Sequence, residues 1–198
     1  MLIKKYRTKV ADKNYAANTA LEEPNRFING QALFSTYRFG FCTLDEVGCG
    51  IIAIYNMLRM FGTPQKLADL IREFETNSTE TVPFGFWGIN PYSLKKYFNK
   101  YCIPYSKINR ISKLDKMKIE GGIYLLTYWN NAKKLIAGAH TVALCCIDNE
   151  YVVFNLSNRK TSVSKFKNAA DIIDDGKLIR GYQVHEELCC DKSILFSQ

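Results

Sequence analysis

The run from Cys49 to Phe61, CGIIAIYNMLRMF, constrains the fold more than any other segment. Ile51, Ile52, Ile54, Tyr55, Leu58 and Phe61 spread round most of a helical wheel, so the rest of the chain must enclose this helix on nearly all sides. Gly62 marks its C-terminal end, and Thr63-Pro64 supplies an N-cap and first position for the next helix. Leu67, Leu70, Ile71 and Phe74 recur at i, i+3, i+4 and i+7, which gives that helix one apolar stripe. After a polar loop over 76–88, Asn90-Pro91 opens a third helix with Leu94, Tyr97, Phe98 and Tyr101 on one face. Beyond it the pattern changes, and residues 123–129, 140–147, 151–156 and 178–184 read as strands. Helices first and an antiparallel sheet afterwards define an α+β chain, with the central helix packed on the C-terminal sheet. A chain of 198 residues, 47% apolar, can enclose such a core as a single domain, 1–198. Its first 40 residues are polar and turn-rich, and predict an arm, irregular or in short strands, wrapping the domain.

Charge and cysteine usage narrow the chemistry. The net charge of +8 is concentrated in residues 94–134, where ten Lys and Arg face only Asp115 and Glu120. Tyr97, Phe98, Tyr101 and Tyr105 lie between those charges, an arrangement that could pair phosphates and stack bases. No nucleic-acid motif accompanies it, so a solvated face with its rings turned inward is the favoured reading, and a nucleic-acid partner is not. The longest uncharged apolar run, Gly48 to Leu58, is too short to span a bilayer. Lys4, Lys5, Arg7, Lys9 and Lys13 interrupt any apolar signal core at the N-terminus, which points to a cytoplasmic protein. Seven cysteines without a C-x-x-C, and only His140 and His185, give no ligand spacing for zinc, and reduced thiols are expected. No metal and no other cofactor is implied.

One cysteine stands apart. Cys49 opens the buried helix, where the positive end of the helix dipole favours thiolate over thiol. Gly48 and Gly50 on either side would leave room for a substrate backbone against the sulfur. A nucleophilic cysteine needs a base, and His140 starts a strand that turns at Asp148-Asn149 and returns. If those two residues form the hairpin loop, Ile147 faces Glu150 and pair numbers sum to 297. His140 then lies opposite Ser157, with Asn155 two residues away on the same face. In that position an asparagine can accept the Nδ1–H bond of the imidazole and leave Nε2 to face the thiol. The sequence thus offers a nucleophile, a base and an orienting amide: Cys49, His140 and Asn155.

These residues resemble a known family. Thr43-Leu44-Asp45-Glu46-Val47-Gly48-Cys49-Gly50 before an apolar helix is similar to the nucleophile motif of the bacterial bacteriocin-processing, double-glycine leader peptidases, which are papain-like cysteine proteases. Asp45, Glu46, Cys49 and Gly50 match that pattern; Ala139-His140-Thr141-Val142-Ala143-Leu144 is similar to the strand that carries the family's histidine, and Asn155 stands where its third residue falls. The resemblance covers roughly residues 43–156. It implies a papain-like fold and a thiol protease acting on a peptide or protein substrate, with leader-peptide processing as one role. The family places an oxyanion-hole Gln six residues before its cysteine, and this chain has Thr43 there. The Thr43 hydroxyl, or Gln31 folding in from the arm, would have to join the Cys49 backbone N–H as a donor. Phe86 and Trp87, from the loop between helices, and Gly138, just before His140, are expected to line the substrate cleft. Two alternatives use the same residues. One is an acyltransferase or amidase with the same triad; the other is a peptide-binding pseudo-peptidase whose turnover is low because Thr43 replaces the glutamine.

Overall fold

The computed structural model describes residues 2–77, 88–134, 138–157 and 160–185. In chain order the elements are α1 (Leu2–Thr19), a 3-10 turn (Gln31–Phe34), β1 (Arg38–Phe39), β2 (Cys42–Thr43), α2 (Leu44–Val47), α3 (Cys49–Met60), α4 (Leu67–Thr76), α5 (Leu94–Lys100), β3 (Tyr105–Ile108), α6 (Ile111–Lys116), β4 (Ile123–Trp129), β5 (Ala139–Ile147), β6 (Glu150–Phe154), β7 (Ser164–Phe166), α7 (Ala169–Ile173) and β8 (Lys177–Val184). Six strands form one antiparallel sheet in the order β3-β8-β4-β5-β6-β7, and β1 and β2 make a separate small hairpin. The chain is α+β.

Alternation along the strands sends two sets of side chains to opposite faces of the sheet. Ile123, Leu125, Ala143, Tyr182 and Val184 meet α3, α4 and α5 in one core. Tyr124, Leu126, Val142, Leu144 and Val153 meet Leu114 of α6 and Ile172 of α7 in the other. Helix α3 is buried from Gly50 to Leu58, as its all-round apolar wheel requires. It ends in a Schellman motif: Gly62 is left-handed (φ 69°), its N–H donates to the Arg59 carbonyl, and Thr63 N–H donates to that of Leu58.

Three local expectations are corrected. Residues 2–19 form a helix and not an irregular arm or strands. This helix is polar and has little stripe of its own; tertiary bonds hold it. Asn14 Nδ2 reaches the buried Glu75 of α4 at 2.5 Å, and Asn18 bonds both the N–H and the carbonyl of Arg38. Helix α4 starts at Leu67 and not at Pro64, because its cap comes from far away: Glu23 accepts the Leu67 N–H at 2.8 Å. Short β3 and β7, absent from the sequence reading, complete the edges of the sheet. Tyr97 and Phe98 of the basic stretch are buried, and Phe98 packs with Tyr105 and Tyr182, so those two rings are not surfaces for base stacking.

Candidate active site

The β5–β6 hairpin turns through Asp148 and Asn149, both left-handed (φ 53° and 59°), the geometry a two-residue hairpin loop requires. Ile147 pairs with Glu150, and the register continues to Ala143 opposite Phe154, as the sequence predicts. It then stops. Asn155 is left-handed at φ 57°, a conformation asparagine tolerates better than most residues, and β6 leaves the sheet before reaching the His140 level. No His140–Ser157 pair forms. The break clears a lane beside the first residues of β5, and the start of α3 brings Cys49 to it.

Cys49 is partly exposed, whereas His140 and Asn155 are buried. Cys49 neighbours the His140 ring, and each shifts the ionisation of the other. His140 Nε2 lies 2.6 Å from the main-chain carbonyl of Asn155. A carbonyl can only accept, so Nε2 carries the proton and Nδ1 is the nitrogen that addresses the sulfur. This reverses the expected assignment of the two ring nitrogens. It also moves the orienting role of Asn155 from its side chain to its backbone, because the left-handed turn swings the carbonyl, and not the amide, toward the ring.

The Asn155 amide holds the arm instead. Its Oδ1 accepts the Gln31 N–H at 3.0 Å, its Nδ2 faces Gln31 Oε1 at 3.4 Å, and its own N–H donates to Asn29 Oδ1 at 2.9 Å. Gln31 Nε2 in turn donates to the Asp45 carbonyl at 2.9 Å, within α2 just before α3. Thus Gln31, buried and remote in sequence, reaches the site from the arm. Thr43 does different work. It caps α2, with its N–H on Glu46 Oε2 at 3.0 Å and its hydroxyl on the Asp45 carboxylate. A carboxylate accepts only, so the single Thr43 proton is already given away.

Burial pushes the Cys49 thiol up, but the His140 hydrogen bond and charge, with the Thr141 N–H and hydroxyl, outweigh it and hold the thiol below its ordinary range. For His140, burial acts downward, and its hydrogen bond and attraction to Cys49, with the Asn155 carbonyl, raise it. The two shifts favour the same state, thiolate beside imidazolium. Tyr128 stands edge-on to the His140 ring, with centroids 6.2 Å apart. Burial first, and then the Cys49 charge, raise its phenol, so it stays neutral.

The predicted cleft residues divide. A side chain at Gly48 would put its Cβ 2.4 Å from the Leu44 carbonyl oxygen, and one at Gly50 would meet Ile89 at 3.1 Å. Both glycines therefore serve close packing of α2, α3 and Ile89. Among the described residues, a Cβ at Gly138 (φ 80°), two residues from His140, would meet only Asn130, at 3.9 Å. Phe86 and Trp87 lie outside the described residues. Sequence reasoning missed Thr141 and Thr127. Their hydroxyls are 3.0 Å apart across the β4–β5 pair, and the cross-strand register is the signal that could have revealed them. Among the described residues no three His, Cys, Asp or Glu side chains gather as a metal site would need, and no helix is long and apolar enough to cross a membrane.

Compared with known proteins, the chain matches no family model and no curated sequence.

Proposed function

We propose that this protein is a cysteine peptidase of papain-like architecture, with Cys49 as nucleophile and His140 as general acid and base. The observation that carries the reading is the His140 ring, held through Nε2 by the Asn155 carbonyl, beside a Cys49 thiol whose ionisation it favours. Further support comes from the resemblance to the double-glycine leader peptidases over residues 43–156, and from the order Cys, His, Asn. Nδ1 of His140 takes the thiol proton, and the thiolate adds to the scissile carbonyl of a peptide or protein substrate. The imidazolium returns that proton to the leaving amine as the C–N bond breaks, leaving a thioester on Cys49. Water, giving its proton to His140, then releases the acid and restores the pair. The oxyanion would be met by N–H groups at the start of α3 and by Gln31, whose second amide N–H has no partner among the described residues. Leader-peptide processing is the role the resemblance offers.

Alkylation with iodoacetamide across pH, read by peptide mapping, tests this. Cys49 should label below pH 7 much faster than the other cysteines, and His140→Ala should remove most of that advantage. Equal labelling of all seven would end the proposal. A second reading draws on Thr43, whose proton is held by Asp45: the cleft binds peptides and turns them over slowly. Hydrolysis at ordinary enzyme rates would exclude it. Partition of product toward added amines would instead mark an acyltransferase or amidase.

A further inference from the structure

Because β6 ends at Phe154, its ladder with β5 does not fix the peptide groups of Asn155. Two side chains do so instead. The Asn155 N–H donates to Asn29 Oδ1 at 2.9 Å, and its carbonyl meets His140 Nε2 at 2.6 Å. A residue bound at both its N–H and its carbonyl cannot rotate about its own φ and ψ without breaking one bond. That matters here, since Asn155 is left-handed (φ 57°), a conformation that L-residues leave unless they are held in it. The Gln31 contacts run through the Asn155 side chain. The Asn29 contact runs through the same main chain that the imidazole meets.

Asn29 is placed in turn by the helix that opens with Cys49. About two turns into α3, Asn56 forks onto the residue before it: Oδ1 accepts the Ile28 N–H at 2.8 Å, and Nδ2 donates to the Ile28 carbonyl at 2.9 Å. The fork copies the paired bonds of a strand partner and fixes the peptide group from which Asn29 starts. We propose that Asn29 is a positioning residue for His140: braced by Asn56 of α3, it fixes the Asn155 main chain and through it the imidazole. This rests on the reading of Cys49 and His140 as nucleophile and base, and deepens it. One relay then joins the nucleophile's helix to the base, through Asn56, Ile28, Asn29 and Asn155 to His140. No hydrogen bond in it is longer than 2.9 Å. Ile28, Asn56, Asn155 and His140 are buried, so solvent offers little in place of these bonds. A shift of α3 therefore carries the ring with it, which keeps base and nucleophile in step where about 1 Å of misplacement can cost about 10²-fold in rate.

The test reads the ring itself. The chain has two histidines, His140 and His185, so NMR of the nitrogen-labelled full chain resolves both imidazoles, with His185→Gln to assign them. The His140 Nε2–H, given to a carbonyl, should appear downfield and exchange slowly with water. Asn29→Ala removes the acceptor that holds Asn155. It should broaden or abolish that signal, and slow iodoacetamide labelling of Cys49 at pH 6 about tenfold, the effect of a one-unit rise in the thiol's midpoint. Asn29→Leu, which keeps bulk without the acceptor, gives the same reading if the alanine variant does not fold. Asn29→Asp keeps an oxygen at the same reach and should restore both readouts. Asn18→Ala is the control for loosening alone: it breaks a similar fork, on Arg38, that is no part of the relay, and should leave signal and labelling unchanged. A wild-type signal in the Asn29→Ala or Asn29→Leu protein would overturn the proposal, as would an Asp variant no better than Ala or an equal loss in Asn18→Ala. If wild-type Cys49 shows no labelling advantage, the peptidase reading fails while the imidazole signal still decides the role of Asn29. A normal advantage with a signal indifferent to Asn29 defeats only this inference.

Discussion

Replacing Asn155 separates its two jobs. The amide side chain ties Gln31 to the end of β6, while the main-chain carbonyl holds His140 Nε2. In Asn155→Ala the buried Gln31 N–H loses its acceptor, a loss of about 2 kcal/mol, and the 3.4 Å contact adds little. Alanine in the left-handed conformation costs about a further 1 kcal/mol, so the expected destabilisation is about 3 kcal/mol. Asn155→Gly escapes the backbone part and should lose about 2 kcal/mol. Urea unfolding would show both, with the alanine variant's midpoint lower by about 1 M at a slope of about 2–3 kcal/mol per M. In the fraction still folded, Cys49 labelling at pH 6 should stay within about threefold of wild type in both variants, because glycine and alanine retain the carbonyl. The refuting result is a folded Asn155→Gly protein whose Cys49 labels as slowly as in His140→Ala. That would mean the side chain, and not the backbone, aligns the imidazole.

Other expectations follow from the same geometry. A peptidase pH profile should be bell-shaped and broad: the thiol is lowered, so the rising limb moves to more acid pH, and the histidine is raised, so the falling limb moves to more alkaline pH than a free imidazole. Rates measured from pH 4 to 10 check this, and a narrow peak centred on an ordinary histidine titration would contradict it. Gly48→Ala should destabilise by about 3 kcal/mol, since its Cβ meets the Leu44 main chain, whereas Gly62→Ala, with nothing within 4 Å, should lose only about 1 kcal/mol to its left-handed backbone; thermal unfolding ranks the two. Glu75→Ala removes the acceptor shared by Asn14 Nδ2 and the Gly40 N–H, and should cost about 3 kcal/mol and speed proteolytic cutting within α1.

What could be read in the sequence was what local chemistry decides. The Asp148-Asn149 loop with alternating apolar residues gives the β5–β6 register residue by residue, and the all-round apolar wheel gives α3 its place. Helix α1 escaped because its stability lies in partners such as Glu75 and Asp69, 61 and 54 residues away. The expected imidazole bond failed for a related reason. Pair numbering assumes that the strand goes on, and a single left-handed residue ends it, exchanging an amide for a carbonyl. No local pattern places Gln31, because its bonds to Asn155 and Asp45 span 124 and 14 residues.

The Gln31–Asn155 link also bears on how the molecule is born. Synthesis proceeds from the N-terminus, so the arm, α3 and the sulfur leave the ribosome more than a hundred residues ahead of the strand that carries the imidazole's anchor. During that interval Cys49 has no His140 beside it. On the proposed reading, reactivity waits for the β5–β6 hairpin to close over the earlier segments, which would keep a half-made chain from attacking its surroundings or itself.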